Sequence, residues 1–224
     1  MTLSIVARAP QQGAFGVAIA SSSPAVAARC AHARAGAGAA ASQNITDPVL
    51  GVRMLDALGQ GASSAAAIGA ALRSTPFGAY RQLLAIGAQG APAVHSGERA
   101  LGVVGTAIGV DCAAAGNLLA RADVPAAMVA AFEPDDAPFG ERLLRALAAG
   151  AARGGEAGAL HSAGLVIVRE VAWPIVDLRV DWVDADPIAA LAGIWRVYAP
   201  QIEDYVRRAL DPAAAPSFGV PGNP

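Results

Sequence analysis

The chain has 224 residues, a net charge of −2 and an isoelectric point near 5.9, so it is long enough for one sizeable hydrophobic core. Its weak negative charge offers no basic surface to nucleic acid, and no apolar run reaches the roughly 18 residues that cross a bilayer. We therefore expect neither nucleic acid nor membrane as a partner, and the cytoplasm as the location.

The start of the chain predicts a β-hairpin. Residues 3–8 and 15–21 have the composition and alternation of strands, and a proline and a glycine between them favour a tight turn. If the strands pair closely about this turn, the antiparallel register places Thr2 opposite Ser21, within two residues. The second strand would then end beside the start of the chain.

The remaining elements predict a layered fold built mainly from hairpins. Further strands are expected at residues 36–42, 82–88, 92–95, 103–109, 112–118, 163–168 and 175–181, and helices at 48–59, 64–74, 124–132, 139–153 and 187–210. We expect the three tryptophans and the tyrosines of the last helix to pack in the core. This order predicts an α+β fold, a four-layer αββα sandwich of two mainly antiparallel sheets. It forms a single domain over residues 1–211, followed by a tail at 212–224 that is rich in proline and glycine.

Thr2 is the first candidate for chemistry. A small residue at position 2 favours removal of Met1, which would leave threonine as the N-terminus. The α-amine, with a pKa of about 7.7–8.0, can then accept the proton of the threonine's own hydroxyl. All 16 basic residues are arginine, so the chain has no lysine to act as that base. On position alone, Thr2 is more simply the first residue of an edge strand.

Amide side chains supply the next candidates. Asn117 sits in an apolar strand beside a glycine and is our first choice for a donor to a tetrahedral oxyanion, although it equally fits a structural role at a bulge. Gln43 and Asn44 follow as substrate-binding residues, with a role in forming the turn before the next helix as the alternative. Arg29 and Arg34 are more simply explained by a solvated loop, but they suit an anionic substrate.

The remaining candidates are hydroxyl, ionic and imidazole groups. Ser21 and Ser22 suit the α-amine or a water molecule, and their alternative is hydrogen bonding to the local backbone. Asp177 and Arg179 share one face of a strand, where they can pair with each other or bind a terminal amine and a substrate carboxylate. His161 precedes a strand and suits an acid or base role, with strand-end hydrogen bonding as the alternative.

The two cysteines and three histidines do not predict a metal centre. Cys30 and Cys112 match no disulfide or metal-ligand spacing, so we expect buried, reduced thiols. The histidines come from three unrelated segments of the chain. We therefore expect neither a metal nor a cofactor.

Five segments in register resemble a known family. They are TLSIVAR at 2–8, GVAIAS at 16–21, SQNITDP at 42–48, GNLL at 116–119 and DLRVD at 177–181. Together they resemble the bacterial family of domains of unknown function 1028, which is assigned to the N-terminal-nucleophile hydrolase superfamily, and the resemblance extends from Thr2 to about Leu210. It implies an αββα sandwich and amide hydrolysis through a covalent acyl-enzyme, with Thr2 at the nucleophile position.

The chain also departs from what this resemblance implies. Proteasome-type members use an acidic residue and a lysine near the nucleophile, and this chain has no lysine. The frequent Ala-Arg-Asp-Pro of the family's first turn is Ala-Arg-Ala-Pro at residues 7–10. Other branches rely on the α-amine with asparagine or arginine donors.

These observations lead to one expected function and two alternatives. We expect an amidohydrolase that cleaves a small amide or peptide-like substrate through Thr2, and that assembles as a homo-oligomer. The first alternative is a catalytically silent small-molecule-binding module on the same fold. The second is an enzyme that uses His161 and Ser162 without the N-terminus.

Overall fold

A computed structural model describes residues 2–133 and 136–219. The predicted removal of Met1 and the end of the predicted tail lie outside the described residues. The strands are β1 (Thr2–Ala9), β2 (Ala14–Ser21), β3 (Ala31–Arg34), β4 (Gly38–Gln43), β5 (Gln82–Gly87), β6 (Ala93–Ser96), β7 (Gly105–Ile108), β8 (Cys112–Asn117), β9 (Ser162–Val168) and β10 (Val176–Val180). The α-helices are α1 (Val26–Cys30), α2 (Pro48–Gly59), α3 (Ser64–Arg73), α4 (Val124–Phe132), α5 (Phe139–Ala152), α6 (Pro187–Tyr198) and α7 (Ile202–Leu210).

The strands form two antiparallel sheets with flanking helices, as expected for an α+β protein. The larger sheet has six strands in the order β10-β9-β2-β1-β8-β7, and the smaller has four in the order β3-β4-β5-β6. β1 therefore lies inside the larger sheet, between β2 and β8. The alternative reading of Thr2 as the start of an edge strand is wrong.

Alternation along β1 divides its side chains between two hydrophobic clusters. Leu3 and Ile5 belong to a cluster that includes residues of α4, α5 and α6, whereas Val6 packs with residues of the smaller sheet. Many of the residues between the sheets are alanine, which lets the two backbones approach closely. α2 and α3 contribute to a third cluster with β4 and β5.

The register of the first hairpin confirms the prediction. Arg8 pairs with Phe15, and Leu3 pairs with Ala20. One residue further, the same register brings Thr2 level with Ser21. On its other side, Thr2 pairs directly with Asn117 of β8.

Several elements differ from the prediction. The short helix α1 and strand β3 were not predicted, because neither has a long periodic pattern. The predicted helix over residues 187–210 is two helices separated by a 3-10 turn at Ala199–Gln201. Pro200 lies in this turn, and proline removes a helical hydrogen bond and clashes with the preceding turn.

The aromatic and cysteine predictions had mixed outcomes. Trp195 is 7% exposed, but Trp173 and Trp182 are 40% and 52% exposed, so the prediction that all three tryptophans pack in the core was wrong. Both cysteines are free and buried, as predicted. Within the described part of the chain, no helix combines the length and apolar character needed to cross a membrane.

Candidate functional site

A small cavity lies at the ends of β1, β4 and β8, with a volume of about 160 Å3. Three of the predicted site residues line it together, namely Thr2, Asn44 and Asn117. The described residues that line it are Thr2, Ser23, Arg29, Cys30, Asn44, Ile45, Thr46, Leu101 and Asn117. These residues come from five segments of the chain, and the β1–β8 pairing brings two of them, Thr2 and Asn117, side by side.

A buried chain of polar side chains joins the two sheets beneath this cavity. The Ser4 hydroxyl donates to Oε1 of Gln43 at 2.7 Å, and Nε2 of Gln43 donates to Oε1 of Gln82 at 2.7 Å. Nδ2 of Asn117 donates to the same Gln82 oxygen at 3.1 Å. All four side chains are at most 1% exposed, so each depends on its partners for hydrogen bonding.

This chain fixes the orientation of the Asn117 amide. One N–H of its Nδ2 atom bonds Gln82, and among the described residues no acceptor serves the second N–H. Since Asn117 also lines the cavity, that N–H is available to a ligand there. Gln43 is not among the described residues that line the cavity, and it donates to the same Gln82 oxygen as Asn117.

The backbone around the cavity is strained. Among the described residues other than glycine, positive φ angles occur at Ala25 (50°), Asn44 (56°), Ile45 (51°) and Leu118 (50°). Asn44 and Ile45 line the cavity, Leu118 follows Asn117, and Ala25 follows the Ser23–Pro24 pair. For Ile45, a β-branched residue, this conformation is a genuine outlier. Strained residues cluster at functional sites because the surrounding structure must hold them in place.

Asn44 braces one wall of the cavity. Its Nδ2 atom donates to the carbonyl of Tyr80 at 2.5 Å, and its Oδ1 atom accepts from the backbone N–H of Leu101 at 3.0 Å. The Arg81 guanidinium donates to the carbonyl of Ile45 next to it. These bonds stabilise the positive φ angles, so we assign Asn44 mainly to the shape of the cavity.

Cys30 is a second nucleophile-type side chain in the lining, but it is held in its neutral form. Burial raises the pKa of its thiol, while a hydrogen bond with the Thr46 hydroxyl, at 3.3 Å, acts in the opposite direction. A neutral thiol is a poor nucleophile.

Glu156 is a functional candidate that the sequence analysis missed. Its carboxylate accepts from the backbone N–H of Ser22, with oxygens 3.1 and 3.3 Å from the nitrogen. The side chain is only 5% exposed, and burial raises its pKa to about 7 despite the Ser22 bonds. It lies in a glycine-rich link at residues 154–158, which by composition alone reads as a connection between elements.

The topology places Glu156 in line with the start of β1. It pairs with Leu119, just beyond the end of β8, and bonds Ser22, just beyond the end of β2. β2 and β8 are the two neighbours of β1. The opposite side of the β8 extension is taken by Val103, whose carbonyl accepts from Leu119. Glu156 therefore occupies the gap that β1 would enter if it continued before Thr2.

The raised pKa of Glu156 predicts a pH-dependent stability. Below about pH 4.5 the Glu156 carboxyl group is protonated in both the folded and the unfolded chain. Between that pH and about 7 it is protonated only in the folded chain. The stabilisation that this proton gives the folded chain is therefore lost as pH rises through 7. The Glu156→Gln variant retains an acceptor for Ser22 but does not titrate. We therefore expect its free energy of unfolding to fall by about 2–3 kcal/mol less than that of the unchanged protein between pH 4.5 and 8. Urea unfolding of both proteins at several pH values measures this, and identical pH profiles would contradict it.

The structure places the serines near Thr2 and joins His161 to one of them, since the His161 backbone N–H donates to the Ser21 carbonyl at 2.9 Å. The Ser21 and Ser23 hydroxyl oxygens lie 2.9 Å apart, and Ser23 lines the cavity. The His161 ring stacks on Trp182 with centroids 4.2 Å apart, and its Nδ1 atom lies 2.9 Å from the carbonyl of Val183. His161 does not line the cavity, which argues against the catalytic role predicted for it.

The hydrogen bonds of Ser162, Asp177 and Arg179 are consistent with structural roles and do not require a part in catalysis or substrate binding. The Ser162 hydroxyl donates to the carbonyl of Ser23 at 2.6 Å, so the proposed His161–Ser162 couple is not formed. Asp177 and Arg179 form a two-pronged ion pair at 2.7 and 2.8 Å on β10, an outer strand of the larger sheet. Neither lines the cavity, and their predicted substrate-binding role receives no support.

Comparison with known proteins shows the family to which the chain belongs. Residues 2–191 match the family described as a family of unknown function, DUF1028. The chain belongs to this family. A solved structure of a DUF1028 protein, SPO2555 from Silicibacter pomeroyi, is similar at 31% identity and a TM-score of 0.85, covering 92% of this chain and 90% of that one. No curated protein matches the chain.

Proposed function

We propose that this DUF1028 protein is an N-terminal-nucleophile amidohydrolase of the αββα type, in which Thr2 becomes the nucleophile once Met1 is removed. One arrangement carries the proposal. Thr2 lines a small polar cavity and pairs with Asn117, whose amide has a second N–H that can donate to a ligand. The buried carboxylate of Glu156 lies in line with the start of β1.

The proposed reaction begins at the Thr2 hydroxyl. The neutral α-amine accepts the hydroxyl proton, directly or through one water, as Oγ attacks the carbonyl carbon of the amide. The second N–H of Asn117 donates to the oxyanion that forms. The C–N bond then breaks, the leaving amine takes the proton from the α-ammonium, and an ester remains on Thr2. Water hydrolyses that ester, with the α-amine again as base, and a carboxylic acid is released.

Glu156 would act on this reaction through the α-amine. The amine becomes an ammonium when it takes the hydroxyl proton, and a carboxylate in line with β1 stabilises that charge and orients the group. This is a positioning role, since the carboxylate would contact the base rather than the substrate. This positioning role requires no lysine.

A silent binding module remains the competing function, favoured by the absence of lysine and by Ala9 in the usual position of an acid. The test compares two forms of the protein: one that begins at Thr2 and one with a single alanine added before it. Both are incubated with a panel of short amides, and released amine is measured. We expect release only by the form that begins at Thr2.

Each other outcome has a distinct meaning. Equal activity of both forms would exclude Thr2 as a terminal nucleophile. Binding of amides by both forms without any release would favour the silent module.

A further inference from the structure

We propose that the Thr2 cavity binds an amide that carries a carboxylate, and that Arg29 is the residue that recognises this carboxylate. The binding claim concerns the cavity itself, while cleavage of such an amide rests on the function proposed above.

Arg29 has hydrogen bonds that hold it in place without neutralising it. Its Nη2 atom donates to the Ser23 hydroxyl at 3.1 Å and to the carbonyl of Pro24 at 2.7 Å. Both acceptors are uncharged, and within residues 2–133 and 136–219 no carboxylate pairs with it. By contrast, the Arg34 guanidinium on the neighbouring strand β3 pairs with Asp56 at 2.8 Å. A solvated loop was the simpler expectation for both arginines; of the two, Arg29 is among the described residues that line the cavity.

The cavity lining is positively charged. Among the described residues that line it, Arg29 is the one charged side chain, and none is an aspartate or a glutamate. Glu156 accepts from the backbone N–H of Ser22 and is not among the described residues of the lining. Since an arginine guanidinium presents paired N–H donors in the geometry of a carboxylate, it favours such a group over a neutral one.

The volume limits the size of the bound group. A cavity of about 160 Å3 is close to one that holds benzene, so it accommodates on the order of six to eight non-hydrogen atoms. The small polar side chains of Ser23, Thr46 and Asn117 suit a compact polar ligand. A short dicarboxylic acid in which one carboxyl is an amide meets both the size and the charge requirement.

The test measures binding of succinamate and of succinamide, two molecules of equal heavy-atom count that differ in charge. Calorimetry on the Thr2→Ala protein avoids turnover. We expect succinamate to bind at least about tenfold more tightly than succinamide, with a preference that decreases as salt concentration rises. Arg29→Gln should abolish this preference, and Arg29→Lys should retain part of it. Arg53→Gln, which removes a charge on α2 away from the cavity, should leave it unchanged.

Three outcomes would overturn the proposal: no binding of succinamate, equal binding of the two molecules, or a preference that persists in Arg29→Gln. Failure of the hydrolase function is distinguishable from these. If succinamate binds in an Arg29-dependent way but the form that begins at Thr2 never cleaves it, the recognition site stands and the cleavage does not. Cleavage of neutral amides, with no preference for succinamate, would instead remove the Arg29 proposal alone.

Discussion

Replacing Thr2 by alanine is expected to abolish amide hydrolysis, with a loss on the order of ten-thousandfold or more in kcat/KM. The substitution removes the attacking oxygen, and without it no acyl-enzyme can form. Thr2→Ser keeps both the hydroxyl and the α-amine and should retain measurable activity. Steady-state kinetics on the best substrate of the amide panel measures both effects.

A matched control is available at Thr106, an exposed threonine on the outer strand β7. Thr106→Ala removes the same atoms outside the cavity and should change neither kcat nor KM by more than about twofold. If Thr2→Ala retains most of the activity while its melting temperature is unchanged, the nucleophile lies elsewhere.

Asn117→Ala is expected to lower kcat by about a hundredfold to a thousandfold, with a much smaller change in KM. The amide N–H would bond the oxyanion more strongly than the ground-state carbonyl, and removal of one such donor typically costs this much. Kinetics on the form that begins at Thr2 provide the measurement. A loss confined to KM would contradict a role in stabilising the oxyanion.

Because Asn117 also belongs to the buried polar chain, the control must separate catalysis from stability. Gln43→Leu interrupts the same chain at a residue that does not line the cavity. Both variants should lower the melting temperature, since each leaves a buried polar partner unsatisfied. Equal losses of kcat in the two variants would assign Asn117 a purely structural role.

Local sequence patterns were sufficient to predict the hairpin and its register. Proline and glycine define the turn, and the pairing of Arg8 with Phe15 then follows from chain connectivity. Helices with strong caps were also predicted closely, as at Asp47, which caps α2 by accepting from Val49. Thr2 and Asn117 could be proposed from the sequence because a threonine directly after Met1 and an asparagine in an apolar strand can both be recognised without a structure.

Long-range contacts explain what the sequence did not reveal. Glu156 matters because it bonds Ser22 and pairs with Leu119, and both contacts are set by the order of strands in the sheet. Arg29 belongs to the short helix α1, which was not predicted, so its place in the cavity lining could not be predicted either. Conversely, Asp177 and Arg179 are adjacent on one strand face, but that strand is at the outer side of the sheet.

The identity of the N-terminal residue is the most direct test of the proposal that Thr2 is a terminal nucleophile. The untagged protein, produced in its natural form, is digested with trypsin, which cleaves after Arg8, and the mass of the first peptide is measured. A Thr2 nucleophile predicts a peptide of residues 2–8 that begins with Thr2. A peptide of residues 1–8 that retains Met1 would block the proposed base, contradict the nucleophile mechanism and leave the binding module as the function.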